Sequence, residues 1–175
     1  MIDFTKSKQY TLSIRLSTDG FSFSIYNPIH DDSLSIIEKE IDTSLSLTAN
    51  LKAVFHESDF LNHPYKRVNI MMASKRFTIA PLDLFEEGQA ELLFYHNHQK
   101  RENETVLYNI LRKNNVAVIF GIDKSAQTFL NEQYPEARFY SQSTPFIDYF
   151  SVKSRLGNSK KTVSYTHLTL PTNRE

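Results

Sequence analysis

The chain contains no cysteine among its 175 residues. This excludes disulfides, cysteine nucleophiles and thiolate metal sites. It also suits a reducing compartment, so we expect a cytoplasmic protein. Glycine is scarce as well: Gly20, Gly88, Gly121 and Gly157 are the full set. They are too far apart for a GxGxxG or GxxxxGK phosphate-binding loop, so the usual nucleotide-binding signatures are missing.

An excess of charge of either sign is also missing, because 20 basic and 20 acidic residues give a formal net charge of zero. Without a positive field to attract a phosphate backbone, we expect no binding to nucleic acid. The most apolar stretch, residues 116–122, is far shorter than the roughly 20 residues of a membrane helix. The opening MIDFTKSKQY has no apolar core, so we expect neither a signal peptide nor a membrane span.

What the sequence does contain is a clear strand pattern at its start. The composition is 40% hydrophobic and 13% aromatic, which supports a packed core. Residues 10–17 and 21–26 each alternate apolar and polar side chains, which is the period of a strand with one buried face. Asp19-Gly20 between them is a strong hairpin signal. A third strand over residues 34–41 would complete an antiparallel meander.

After the predicted meander, apolar residues recur at the spacing of a helix, and two apolar runs follow further along the chain. Leu47, Leu51 and Phe55 lie on one helical face after the N-cap candidate Ser46. Residues 68–73 and 116–122 are nearly continuous apolar runs, as expected of central strands covered on both faces. We therefore predict a mixed α/β fold, in which an antiparallel three-strand meander is extended by parallel strands with flanking helices.

Three segments carry a resemblance to a known family: LSIRLSTDGFSFSIYNP, RVNIMMASKRFTIAP and NVAVIFGIDKSAQTFLNEQYPEARFYSQSTPFIDYF. They resemble the bacterial domain-of-unknown-function family 3822, over roughly residues 2–161. The resemblance implies an actin-like ATPase fold, shared with sugar kinases and heat-shock ATPases, of which this chain would be the N-terminal half. Members of the family are longer and hold a second, similar half, so the resemblance implies a truncated chain. It carries no established activity.

The end of the chain has a different character. VSYTHLTLPTNRE resembles a translated sequencing-adapter peptide, and the alternative is an ordinary polar tail. We therefore expect a domain over residues 1–161 and a non-native tail over residues 162–175. A tail of that origin should have no complementary surface and few contacts with the core.

The candidate binding residues lie at two places. The resemblance to actin-like ATPases implies that the first hairpin turn is the phosphate loop, here Thr18, Asp19 and Gly20. The turn lacks the Asp-x-Gly-[Ser/Thr] pattern of active relatives, and a plain hairpin turn is the alternative. Asp123 follows the strand predicted over residues 116–122, at the carboxyl edge where open α/β sheets bind ligands. The alternative for Asp123 is a helix cap.

No other motif specifies chemistry. His96 and His98 could share a strand face and reach a metal, but no third ligand is evident, so a hydrated surface pair is favoured. We expect no catalytic residues, no metal and no cofactor. Late aromatic residues, such as Phe146 and Phe150, either fill the core or form a partner surface.

Two functions therefore remain open. The first is a non-catalytic protein-interaction or scaffold module, whose partner is another protein or the missing second half, and which could self-associate through an exposed apolar face. The second is a nucleotide-binding ATPase or switch whose second half is missing here. The low glycine count and the weak turn favour the first.

Overall fold

The structure is a computed structural model that describes residues 2–28 and 33–156. The residues predicted to form the tail lie outside this part. Within the described residues the chain forms eight strands and four α-helices. In chain order these are β1 Thr11–Ser17, β2 Phe21–Asn27, β3 Ser33–Lys39, α1 Leu47–Glu57, β4 Arg67–Ala73, β5 Phe77–Pro81, α2 Ala90–Asn97, β6 Glu104–Leu111, β7 Val116–Asp123, α3 Lys124–Gln133, β8 Arg138–Ser141 and α4 Ser143–Leu156.

Five strands form one mixed sheet in the order β3-β2-β1-β4-β8. β1, β2 and β3 make an antiparallel meander, and β4 and β8 add in parallel. The predicted meander with parallel extensions is confirmed. One sheet face is buried because the apolar side chains alternate along β1, with Leu12, Ile14 and Leu16 fully inside. Helices α1 and α3 contribute Leu51 and Leu130 to the same core.

The remaining strands form a second, antiparallel sheet in the order β5-β7-β6. The prediction that residues 116–122 run parallel to their neighbours is therefore wrong, since β7 is antiparallel to both β5 and β6. The expected burial of both faces is right. Phe120 and Ile122 of β7 pack into the main core, whereas Ile119 packs against Phe94 of α2 in a smaller second core.

Capping side chains define where two of the helices start. The Ser46 hydroxyl accepts a hydrogen bond from the Ala49 N–H at 3.2 Å, so α1 begins where the sequence predicts. Asp123 does the same for α3 through the Ala126 N–H at 2.8 Å. None of the helices in the described residues is long and apolar enough to cross a membrane.

The Asn109 side chain joins the two sheets. Its Nδ2 donates to the Phe139 carbonyl at 2.9 Å, and its Oδ1 accepts from the Ser141 N–H at 3.0 Å. The amide thus continues the hydrogen bonding of β8 as a neighbouring strand would. The Thr144 hydroxyl adds a third bond to Asn109 Oδ1 at 2.7 Å, which fixes the start of α4 as well.

Candidate functional site

A cavity of about 310 Å³ opens at the carboxyl ends of the parallel strands β1 and β4. We call it the carboxyl-edge cavity. Ser17 pairs with Ala73 in the register of these strands, so both strand ends reach the same edge. The loop before α1 and the end of β7 close the sides. Seven apolar side chains line it: Leu16, Ile41, Leu45, Leu47, Met72, Ala73 and Ile122.

The four predicted binding residues do not all lie in this cavity. Thr18 and Asp123 line it. Asp19 and Gly20 instead line a separate cavity of about 300 Å³, which they share with Glu38 and other residues of β2 and β3. The structure therefore brings one residue of the turn to the predicted strand end and directs the other two elsewhere.

The turn is organised as a hairpin. The Ser17 N–H donates to the Gly20 carbonyl at 3.1 Å. The first amide of the turn is therefore occupied by the hairpin itself. The Ser17 hydroxyl hydrogen-bonds the Asp19 carboxylate, which lowers the pKa of Asp19 below its usual value. A Cβ at Gly20 would lie 2.8 Å from the Lys39 carbonyl oxygen, so glycine permits the close approach of the two chain segments.

Asp123 is engaged by its surroundings on both carboxylate oxygens. Oδ1 caps α3, and the Thr48 hydroxyl lies 3.4 Å from the same atom. Oδ2 accepts from Asn103 Nδ2 at 2.7 Å. The helix-cap alternative accounts for these contacts, and the contact with Thr48 ties α1 to the start of α3. A ligand-binding role for Asp123 stays a prediction.

The sequence reasoning missed a buried ion pair in the cavity wall. Arg76 Nε and Nη2 donate to the two Glu104 carboxylate oxygens at 2.8 and 2.7 Å, and Nη2 also donates to the Gln99 carbonyl at 2.7 Å. The guanidinium stacks 5.4 Å from the Phe94 ring centroid. A Cβ at Gly121 would lie 2.4 Å from Glu104 Oε1. A glycine inside an apolar strand was the available signal for such a close approach.

Arg101 contributes the other cation of the cavity. Its side chain is exposed at the rim, and among the described residues it has neither an ion pair nor a side-chain hydrogen bond. The neighbouring cation Arg76 is neutralised by Glu104. Asp123 lines the same cavity and accepts hydrogen bonds only from neutral groups, so the formal charges of Arg76, Arg101, Glu104 and Asp123 around the cavity sum to zero.

The histidine pair does not form a metal site. His96 lies in α2 and His98 directly follows it, so the shared strand face, which was the less favoured possibility, does not occur. The His98 ring packs against Phe94 at 4.6 Å between centroids, with Nε2 lying 3.2 Å from the Phe77 carbonyl, whereas His96 is exposed. Across residues 2–28 and 33–156, no three His, Asp or Glu side chains cluster as a metal site would require.

A second exposed feature lies on α4. Phe146, Tyr149 and Phe150, which we call the aromatic stripe, are 60%, 53% and 54% exposed and recur at i, i+3 and i+4. The opposite face of α4 carries the buried Thr144 and the half-buried Ile147. The sequence left open whether the late aromatic residues fill the core or form a surface, and these three lie on the surface.

The comparison with protein families now assigns the chain. The model of the family described as "Protein of unknown function (DUF3822)" matches residues 1–168. The chain belongs to the DUF3822 family. No curated protein matches the chain.

A solved structure supplies the fold of this DUF3822 chain. It is a crystal structure from Bacteroides thetaiotaomicron VPI-5482, described as a protein with an actin-like ATPase fold and unknown function. The two chains are 82% identical, with a TM-score of 0.85. The match covers 91% of the present chain and 62% of the crystallised one. The expected family and the actin-like fold are confirmed, and the chain spans less than two thirds of its relative.

Proposed function

We propose that this DUF3822 chain is a non-catalytic protein-interaction module that docks through the aromatic stripe of α4. The main support for this proposal is that Phe146, Tyr149 and Phe150 are each more than half exposed on one face of a helix. Aromatic side chains dominate the energetics of protein interfaces because each buries a large apolar area. Other exposed apolar residues, such as Leu84 and Leu92, lie on different elements and do not form a comparable aromatic face.

The proposed occupant is the polypeptide that the longer relative carries outside the matched region. The present chain covers 62% of that relative, so more than a third of the relative lies outside the match. α4, which carries the stripe, is the last described element of the chain. This supports the proposal that the chain is a truncated bacterial protein and that its partner is the rest of the same molecule.

A nucleotide-dependent switch is the second candidate. It is supported by the carboxyl-edge cavity, which lies where open α/β sheets hold ligands and includes Thr18. It is opposed by the hairpin bond that uses the Ser17 amide and by the position of Asp19 outside that cavity. We therefore favour the interaction module. We also propose a cytoplasmic location, which the lack of cysteine supports.

Isothermal titration of the unmatched polypeptide of the relative into the full chain tests the proposal. We expect saturable binding, and we expect the double variant Phe146→Ser/Phe150→Ser to weaken it by about tenfold or more, because central aromatic anchors carry most of an interface's affinity. Leu92→Ser, at a residue that is 71% exposed on α2, is the matched control and should bind like the parent. Equal affinity for both variants, or no binding at all, would contradict the proposal.

In the absence of this polypeptide, we expect the chain to self-associate through the same stripe. Sedimentation velocity at rising concentration should show a larger species that the Phe146→Ser/Phe150→Ser variant reduces and Leu92→Ser does not. A chain that stays monomeric at every concentration would contradict self-association through the aromatic stripe.

A further inference from the structure

We propose that the free edge of β3 binds an extended peptide as an additional antiparallel strand, with every second peptide side chain in an apolar groove beside it. The peptide is a segment of another protein that has apolar residues at alternate positions and basic residues next to them. This site lies on a different element from the aromatic stripe, so the inference goes beyond the proposed docking function. It rests on the unpaired backbone of β3, the exposed apolar surface around it, and the charge of the groove.

β3 is an edge strand with one unpaired side. In the order β3-β2-β1-β4-β8, β2 is its only partner among the strands of the described residues. β3 is seven residues long, contains no proline and keeps a regular register with β2. It therefore lacks the short length, the proline and the bulge that prevent many sheet edges from pairing with another chain.

The hydrogen-bonding pattern shows which residues of β3 offer their backbone. The Ser17 N–H bonds the Gly20 carbonyl, so these two residues form a hydrogen-bonded pair at the end of the first hairpin. Such pairs alternate along an antiparallel ladder, so the even-numbered residues of β2 bond β1 and the odd-numbered ones bond the odd-numbered residues of β3. Leu34, Ile36 and Glu38 therefore turn their backbone N–H and carbonyl groups to the free edge.

Apolar surface is available on both faces of the sheet at this edge. On the outer face, the side chains of Leu34 and Ile36 are 56% and 61% exposed. On the inner face, an open groove of about 640 Å³ borders Ile37. Four half-buried apolar side chains line this groove and keep surface that a ligand can cover: Ile2, Phe4, Ile37 and Phe60. Because side chains alternate across a strand, a peptide paired with β3 places every second side chain in the groove.

The charges favour a basic peptide over a second copy of the chain. Lys39, Glu57 and Asp59 line the groove, and Glu38 is exposed at the edge, so three carboxylates surround one amine. Asp59 gains His63 as a charged partner only when that imidazole is protonated. A second copy would double this negative excess, whereas a peptide with basic residues balances it.

Fluorescence anisotropy of a labelled peptide with the full chain tests the site. The peptide is as long as β3, seven residues, and alternates phenylalanine and threonine between two terminal lysines. N-methyl groups on its phenylalanines block one edge, so the threonines pair with β3 and the phenylalanines enter the groove. We expect saturable binding. A control peptide methylated on its threonines instead turns the phenylalanines away from the groove and should bind about tenfold more weakly.

Two variants of the chain separate backbone pairing from groove contacts. Ile36→Pro removes an N–H at the free edge and leaves the ladder between β2 and β3 intact, so we expect about tenfold weaker binding by a folded chain. Ile36→Thr keeps this N–H and is the matched control, which should bind much closer to the parent. Ile2→Ser leaves β3 unchanged and should weaken binding about threefold, because less apolar area is buried.

Amide exchange resolved by NMR gives the geometry directly. The peptide should slow exchange at Leu34, Ile36 and Glu38, and it should change exchange little at the odd-numbered residues that already bond β2. Circular dichroism establishes whether Ile36→Pro is folded. The proposal is overturned if the peptide does not saturate, if both methylation patterns bind equally, or if Ile2→Ser and a folded Ile36→Pro chain both bind like the parent.

Discussion

Glu104 holds its carboxylate in the interior, where only 6% of the side chain is exposed, and the Arg76 guanidinium makes this possible. Two charges taken out of water each cost several kcal/mol, which their mutual attraction offsets only with good geometry. Here the geometry is bidentate, and Gly121 leaves the space that the Glu104 carboxylate occupies. The pair ties the start of β6 to the segment between β4 and β5.

Removing one residue of the Arg76–Glu104 pair should lower the free energy of unfolding far more than removing both. We expect Arg76→Met to cost about 3–5 kcal/mol of unfolding free energy, because Glu104 is left buried and uncompensated. The double variant Arg76→Met/Glu104→Met should recover a large part of that loss. Urea unfolding followed by circular dichroism measures both. A double variant as unstable as Arg76→Met alone would show that the buried charge is not the cause.

Two partly buried tyrosines should make stability fall at alkaline pH. Burial raises the pKa of Tyr65 from 10.0 to about 12 and also raises that of Tyr134. The unfolded chain therefore ionises first, so the contribution of Tyr65 is fully present below pH 10 and is lost between pH 10 and about 12. Their hydroxyls donate to the Phe60 and Leu61 carbonyls at 2.7 and 2.6 Å.

Replacing both with phenylalanine removes this pH dependence. The Tyr65→Phe/Tyr134→Phe variant should be less stable than the parent near pH 8, by about 1 kcal/mol for each lost hydrogen bond. The difference should shrink as the pH rises from 10 to 12. Urea midpoints measured across this range check it, and a difference that stays constant would contradict the expected titration.

Among the elements, β8 and α4 depend on one side chain of the other sheet. Asn109 of β6 hydrogen-bonds β8 on both sides of Tyr140 and also bonds Thr144 of α4. The Ser141 N–H that it satisfies belongs to a buried residue. Through these bonds, Asn109 holds the elements that carry the aromatic stripe.

Asn109→Ala should therefore loosen β8 and α4 more than the rest of the chain. We expect a loss of about 2 kcal/mol, because a buried backbone N–H is left without a partner. Hydrogen exchange should quicken over residues 138–151 before it does elsewhere. Asn131→Ala, at an exposed residue of α3, is the matched control and should change neither quantity. Uniform acceleration over the whole chain would contradict this local role.

The sequence predicts which segments form strands and helices better than it predicts how the strands pair. Alternation along β1 and β2 and the Asp19-Gly20 turn are local signals, and the structure shows the hairpin that they indicate. The apolar run of β7 correctly indicates two buried faces. Its pairing could not be deduced, because a strand between two antiparallel neighbours and two cores has the same composition as one in a parallel sheet.

The candidate site was predictable only in part. Thr18 and Asp123 do line one cavity, because the position of a strand end follows from the fold. The Arg76–Glu104 pair joins residues 28 positions apart, and Arg101 lies in a loop between them in sequence. Their meeting depends on how the second sheet packs onto the first, and no local pattern encodes that packing.

For the whole molecule, the hairpin turn bears on nucleotide chemistry. We expect no saturable binding of ATP with magnesium to the full chain by isothermal titration. The Ser17 amide is already bonded to the Gly20 carbonyl, and Asp19 lines a different cavity from the carboxyl-edge cavity. Micromolar binding that disappears in the Asp19→Ala variant would contradict this expectation and favour the nucleotide-dependent switch.

The location of the docking surface is the central claim, and hydrogen–deuterium exchange of the full chain tests it most directly. Exchange should be measured with and without the unmatched polypeptide of the relative. We predict that protection concentrates on α4, over the turns that carry Phe146, Tyr149 and Phe150, because docking shields their backbone from solvent. Protection confined to the carboxyl-edge cavity or to β3, with α4 unchanged, would contradict the account.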